Sequence, residues 1–114
     1  MSVILYGIPN CDTVKKARTW LDARGIAYAF HDYKKAGADP AKLAAWCKAA
    51  GLDKVLNRAG TTFKKLPDAD KQGLDEARAI ALMAANPSCI KRPIVEHPGG
   101  LLVGFKADEW NQAL

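Results

Sequence analysis

The first 33 residues constrain the fold more than any other stretch. Val3-Ile4-Leu5-Tyr6-Gly7-Ile8 is a short apolar run rich in strand formers, closed by Pro9-Asn10, which is the pattern of a buried strand. A helix opens near Cys11, because Val14, Ala17 and Leu21 fall at i, i+3 and i+7 on one helical face. Gly25 stops it. Residues 26–33 then read as a second strand. Strand, helix and strand within about 30 residues make the βαβ unit of a parallel sheet.

The middle of the chain reads as helical. Asp39-Pro40 is a helix start, with Asp as N-cap and Pro at the first helical position. Leu43, Trp46, Cys47 and Ala50 form the apolar face of that helix and Gly51 ends it. A shorter helical stretch follows at Asp53–Asn57, and the polar segment Arg58–Lys71 reads as loop. Asp75–Asn86 predicts a helix with Ala77, Ile80, Ala81 and Ala84 turned inward, ended by Pro87. Pro93–Glu96 and Leu101–Phe105 flank the turn His97-Pro98-Gly99-Gly100, a connection short enough for an antiparallel hairpin. Ala107–Ala113 closes the chain as a short helix. The expected architecture is α/β, with a mixed four-stranded sheet. It forms a single domain, 1–114, in which a helical insertion at about 39–88 separates a βαβ half from a ββα half.

Composition excludes several classes. Of 114 residues, 49% are hydrophobic and 25% charged, ordinary for a globular protein and not for a disordered or collagen-like one. The longest apolar run, Ala79–Ala85, is too short to span a bilayer, so no membrane partner is expected. The N-terminus has no basic region ahead of its apolar run, so no signal peptide is expected. Lys plus Arg exceed Asp plus Glu by 17 to 12, which favours anionic partners. The basic residues come in scattered pairs (Lys15-Lys16, Lys34-Lys35, Lys64-Lys65, Lys91-Arg92) and form no stripe, which speaks against nucleic acid. Cys11, Cys47 and Cys89 are an odd number with no C-x-x-C, and His31 and His97 stand far apart. No metal site is expected, and the thiols suit a reducing cytoplasm.

Two features carry chemistry. Cys11 falls between a strand end and a helix start, where unpaired backbone N–H groups and the helix dipole favour a thiolate, the nucleophilic form. Lys15, one turn on, adds positive charge. Position alone leaves two readings of Cys11 open, a nucleophile and a small packed hydrophobe. Arg92-Pro93 opens an apolar strand with a residue that cannot donate to the ladder. A cis bond is one reason for such a proline, and Arg92 could point its guanidinium at an anion near Cys11.

Three strings then carry a resemblance. Residues 7–17 (Gly-Ile-Pro-Asn-Cys-Asp-Thr-Val-Lys-Lys-Ala), Leu56-Asn57-Arg58, and residues 86–95 ending Lys91-Arg92-Pro93-Ile94-Val95 resemble the ArsC-like family. That family holds glutaredoxin-coupled arsenate reductases, Spx regulators and YffB-type proteins. The likeness covers essentially the whole chain, and Phe105 with Asp108-Glu109-Trp110 looks most like the YffB branch. It implies a thioredoxin-like fold with a helical insertion. It also implies Cys11 as the active thiol, Arg58 and Arg92 around it as catalytic partners, and Pro93 as the cis-proline. Asn10, Thr13 and Lys15 complete the expected substrate- or glutathione-binding set. Two guanidiniums would stabilise a thiolate and hold a carboxylate or oxyanion by paired hydrogen bonds.

The sequence also departs from that pattern. Gly7 stands where the arsenate reductases carry a histidine, and Phe105-Lys106 where they carry a third arginine. Val14 replaces the second cysteine of the Spx C-x-x-C, so no local disulfide can form. A single cysteine needs an external thiol to resolve its mixed disulfide, and glutathione, with two carboxylates, matches the basic surround. The resemblance therefore implies a cytoplasmic, glutathione-dependent thiol–disulfide reductase, with glutathione as co-substrate and a small oxidised or disulfide substrate. Glutaredoxin is a further candidate partner. Arsenate reduction and an Spx-like role at RNA polymerase are the alternatives. Cys47 and Cys89 read as core, with a resolving thiol the alternative for Cys89, His31 as a hydrogen-bonded or surface residue, and Lys64-Lys65 as a solvated loop.

Overall fold

The computed structural model describes residues 3–114. Met1 and Ser2, the start of the stretch read above as carrying no signal, lie outside the described residues. In chain order the elements are β1 (Ile4–Gly7), α1 (Asp12–Ala23), β2 (Ala29–Asp32), α2 (Tyr33–Ala36), α3 (Pro40–Ala50), α4 (Leu52–Val55), α5 (Thr61–Lys64), α6 (Asp68–Lys71), α7 (Glu76–Ala85), β3 (Ile94–His97), β4 (Gly100–Val103) and α8 (Ala107–Ala113). A 3₁₀ turn at Pro87–Cys89 follows α7. The chain divides into two compact units, one made of the residues up to Ala36 with Arg92–Leu114, the other of Gly37–Lys91.

The first unit is built on the mixed four-stranded sheet, in the order β2-β1-β3-β4. β1 runs parallel to β2, with Gly7 opposite Asp32, and antiparallel to β3, with Tyr6 opposite Ile94. The β3–β4 hairpin pairs His97 with Gly100, and Gly100 takes a positive φ that a side chain would strain. Leu5 and Val95 face one another across β1 and β3 and pack with Val14, Ala17 and Leu21 of α1 and with Trp110 of α8. Full burial of side chains of this size contributes roughly 1.5–3 kcal/mol each. β2 is shorter than the expected 26–33, because β1 offers it only four partners. Ile26 and Tyr28 pack on the core ahead of the strand, and Tyr33 begins α2.

The second unit is all helical apart from one bridge. Asp39 caps α3 as expected, its carboxylate accepting from the Ala41 amide at 2.9 Å with Pro40 at the first position. α3 packs on α4 and α7, burying Leu43, Trp46 and Cys47. Two expectations need correction. Residues 58–71, read as loop, contain the single-turn helices α5 and α6. The Arg78 guanidinium holds the end of this segment by donating to the carbonyls of Ala69, Gln72 and Gly73. On α7 the buried residues are Ala79 and Met83, while Ala77 and Ala81 are exposed. This alanine-rich helix is apolar on nearly every side, so periodicity could not select its face, and the bulk of Met83 does.

Candidate active site

Cys11 is reached by a short turn from β1, its amide donating to the Ile8 carbonyl at 3.2 Å. It is the N-cap of the twelve-residue α1, with extended backbone (φ −87°, ψ 126°). Its carbonyl accepts from the Lys15 amide at 3.0 Å, and its side chain makes no capping hydrogen bond. The first-turn amides of α1 have no partner within the helix, and the thiol at its start is half-buried. The residue packs against the core cluster and stays partly accessible.

The turn before Cys11 explains Gly7. A Cβ built there would lie 2.8 Å from Cγ2 and 3.3 Å from Cγ1 of Val14, which is fully buried. The residue replacing the arsenate reductases' histidine and the one replacing the second Spx cysteine are thus packed against each other. Phe105, in place of the third arginine, joins an edge-to-face cluster with Trp20 and Trp110 at 6.4 and 4.8 Å. The Trp110 indole donates to the Gly104 carbonyl at 3.1 Å. Lys106 turns to Glu109 at 3.9 Å.

Arg92 and Pro93 enter the same end of the sheet as Cys11. The Arg92–Pro93 bond is cis. Pro93 is buried, and its carbonyl accepts from the Gly104 amide at 2.8 Å. Arg92 is half-buried and, like the Lys15 side chain, forms no ion pair with a carboxylate among the described residues. Asn10 and Thr13 are exposed beside Cys11. Arg58 belongs to the helical unit, where its guanidinium meets Asp53 at 3.4 Å in an exposed pair. The segment carrying it is tied down by a Leu56–Ile90 bridge and by the Asn57 amide donating to the Cys89 carbonyl at 2.7 Å.

Sequence reasoning missed Tyr33. It is fully buried, and its phenol feels both Cys11 and Arg92. Burial pushes its pKa up most, the Arg92 guanidinium pulls it down, and Cys11 and Asp32 push it up. Its place just after β2, at the carboxyl end of parallel strands where α/β proteins bind ligands, is the signal that could have found it. Tyr6 was likewise unassigned. Its hydroxyl donates to Glu96 Oε1 at 2.7 Å and its ring lies 5.0 Å from His31. Cys47 and Cys89 are buried, and burial pushes the Cys47 thiol up. Among the described residues no cluster of His, Cys, Asp or Glu could hold a metal, and no helix is long and apolar enough to cross a membrane.

Known proteins share this fold and much of this sequence. A solved YffB protein is 58% identical, with 99% of each chain covered and a TM-score of 0.96. A solved arsenate reductase (ArsC) related protein from Brucella melitensis is 52% identical over 98% of this chain and 93% of its own, with a TM-score of 0.77. The global transcriptional regulator Spx of Listeria innocua is 30% identical over 94% of this chain and 82% of the regulator. The shared fold is thioredoxin-like, as the resemblance implied. The family profile described as ArsC family matches residues 6–113, and the chain belongs to the ArsC family.

Proposed function

We propose that the protein is a thiol–disulfide reductase that works with one nucleophilic cysteine and uses glutathione as co-substrate. The observation that carries this reading is Cys11 itself: a half-buried, uncapped thiol at the N-terminus of α1, with Arg92 entering the same end of the sheet and no carboxylate among the described residues paired to it. The Cys11 thiolate attacks one sulfur of a disulfide. The Cys11–sulfur bond forms, the substrate S–S bond breaks, and the leaving thiolate departs with the electron pair and takes a proton from water. A glutathione thiolate then attacks the mixed disulfide and releases Cys11 as thiolate. Where Cys11 is joined to glutathione, the second product is glutathione disulfide. Arg92 meets a glutathione carboxylate with two parallel hydrogen bonds, and Lys15 adds a point charge. Arg58, in the helical unit, is engaged with Asp53 in an exposed pair worth less than about 1 kcal/mol.

Arsenate reduction fits less well, because Gly7 and Phe105 are committed to packing where the arsenate reductases carry basic residues. The 30% identity to Spx favours a second reading, a non-enzymatic role at RNA polymerase. Incubation with oxidised glutathione, followed by intact and peptide mass spectrometry, tests the lead. One glutathione on Cys11 supports it. No adduct, together with retention of RNA polymerase by wild type and Cys11→Ser alike, would favour the adaptor.

A further inference from the structure

Three neighbouring strands deliver one residue each to the same end of the sheet. Gly7 of β1 stands opposite Asp32 of β2, and Tyr6 opposite Ile94 of β3. Cys11 therefore follows β1, Tyr33 follows β2 and Arg92 precedes β3 at one sheet end. Of the three, only Tyr33 is fully buried, whereas Cys11 and Arg92 are half-exposed. No buried side-chain nitrogen or oxygen among the described residues lacks a hydrogen-bond partner, so the Tyr33 hydroxyl is anchored. Asp32, the nearest carboxylate in sequence, accepts from the Lys34 and Lys35 amides at 3.0 and 3.2 Å at the start of α2.

We infer that Tyr33 is a positioning residue of the Cys11–Arg92 site, a buried phenol whose anchored ring backs the thiol and the guanidinium and so sets the preference for anionic thiol partners. Electrostatics support the geometry. Burial pushes the phenol's pKa up, the Arg92 guanidinium pulls it down and Cys11 pushes it up; the net shift is upward, so the phenol stays neutral beside Arg92. A phenol has only two side-chain torsions, and an engaged hydroxyl fixes both. The inference rests on the reading of Cys11 as the thiol that glutathione modifies.

The test compares two disulfides: glutathione disulfide, which is anionic, and bis(2-hydroxyethyl) disulfide, which is neutral. With either, the Cys11 Sγ–sulfur bond forms, the disulfide bond breaks, and one thiolate leaves with the electron pair. The readout is the ratio of the two rates of Cys11 modification, by mass spectrometry. Arg92→Ala and Tyr33→Phe should each lower the anionic-to-neutral ratio about fivefold or more. A ratio that Arg92→Ala lowers and Tyr33→Phe leaves at the wild-type value overturns this inference alone. A ratio that neither variant changes overturns the anionic-partner reading, and this inference with it. A second readout needs no Tyr33 variant. With tyrosines labelled at Cζ, and the signals assigned through Tyr6→Phe and Tyr28→Phe, the Tyr33 resonance should move when Cys11 is glutathionylated. A resonance that stays in place overturns the inference.

Discussion

The two compact units treat the same side chains in opposite ways. In the sheet unit Cys11 caps a helix and remains half-exposed. In the helical unit Cys47 sits in the body of α3 and Cys89 in the 3₁₀ turn, both buried. The contrast among cations is narrower, since Lys106 of the sheet unit also pairs, with Glu109. Lys15 and Arg92 have no ion-pair partner among the described residues. In the helical unit Arg58 pairs with Asp53, Lys71 with Asp68, and Arg78 donates to three carbonyls. The lesson is that the surroundings of a thiol follow its place in its element. A thiol at a helix start is offered amides and dipole, and one in a helix body is offered only desolvation.

That contrast can be broken most decisively by thiol labelling of the native protein. Cys11 should react with iodoacetamide at least about a hundredfold faster than Cys47 or Cys89, because the buried pair waits on local opening. Comparable rates, read by peptide mass spectrometry, would erase the distinction between the units. Next in size is the contrast between cations. Arg92→Ala should slow glutathione capture roughly ten- to a hundredfold, the worth of about 1.5–3 kcal/mol of charged hydrogen bonding. Lys64→Ala, on an exposed turn of the helical unit, should cost less than about fivefold. Equal effects would mean that Arg92 does not face the partner.

The packing of Gly7 on Val14 gives a prediction of similar or smaller size. Gly7→His should destabilise the fold by about 1–3 kcal/mol through overpacking, and Val14→Ala should restore part of it. Urea midpoints in the four-variant cycle measure this, and additive losses would mean that the two side chains do not meet. The smallest effect concerns pH. Burial holds Tyr6, Tyr33 and Cys47 protonated beyond their ordinary ranges. Above the unfolded values, about 8.5 for a thiol and 10 for a phenol, the folded chain binds more protons than the unfolded one. This contribution is complete below about pH 8.5 and is lost as pH rises through the window above it. Urea midpoints should fall across that window, and Tyr6→Phe should flatten the fall. A midpoint that climbs would reverse the sign of the account.

The elements that were legible in the sequence are those where local chemistry and global packing agree. Pro9-Asn10, Gly25 and Asp39-Pro40 punctuate the chain where the structure does, and Val14, Ala17 and Leu21 lie inward as their spacing requires. Cys11 was legible because a strand end and a helix start converge on it. What was hidden depends on partners distant in sequence. The face of α7 is chosen by bulk in an alanine-rich helix. α5 and α6 lie in a polar segment whose end is held by Arg78. The need for glycine at position 7 shows only once Val14 is set against it. Tyr33 looked like the last residue of a strand, and only the pairing of β2 with β1 brings it to the end of the sheet where Cys11 and Arg92 stand.

The central claim is that one thiol does the chemistry. Its most direct test is steady-state reduction of bis(2-hydroxyethyl) disulfide by glutathione, followed by coupling to glutathione reductase and NADPH. Wild type, Cys11→Ser and the double variant Cys47→Ser/Cys89→Ser are compared. The account predicts turnover above the uncatalysed rate that the double variant retains and Cys11→Ser loses. Turnover that survives Cys11→Ser, or that vanishes in a folded double variant, would contradict it.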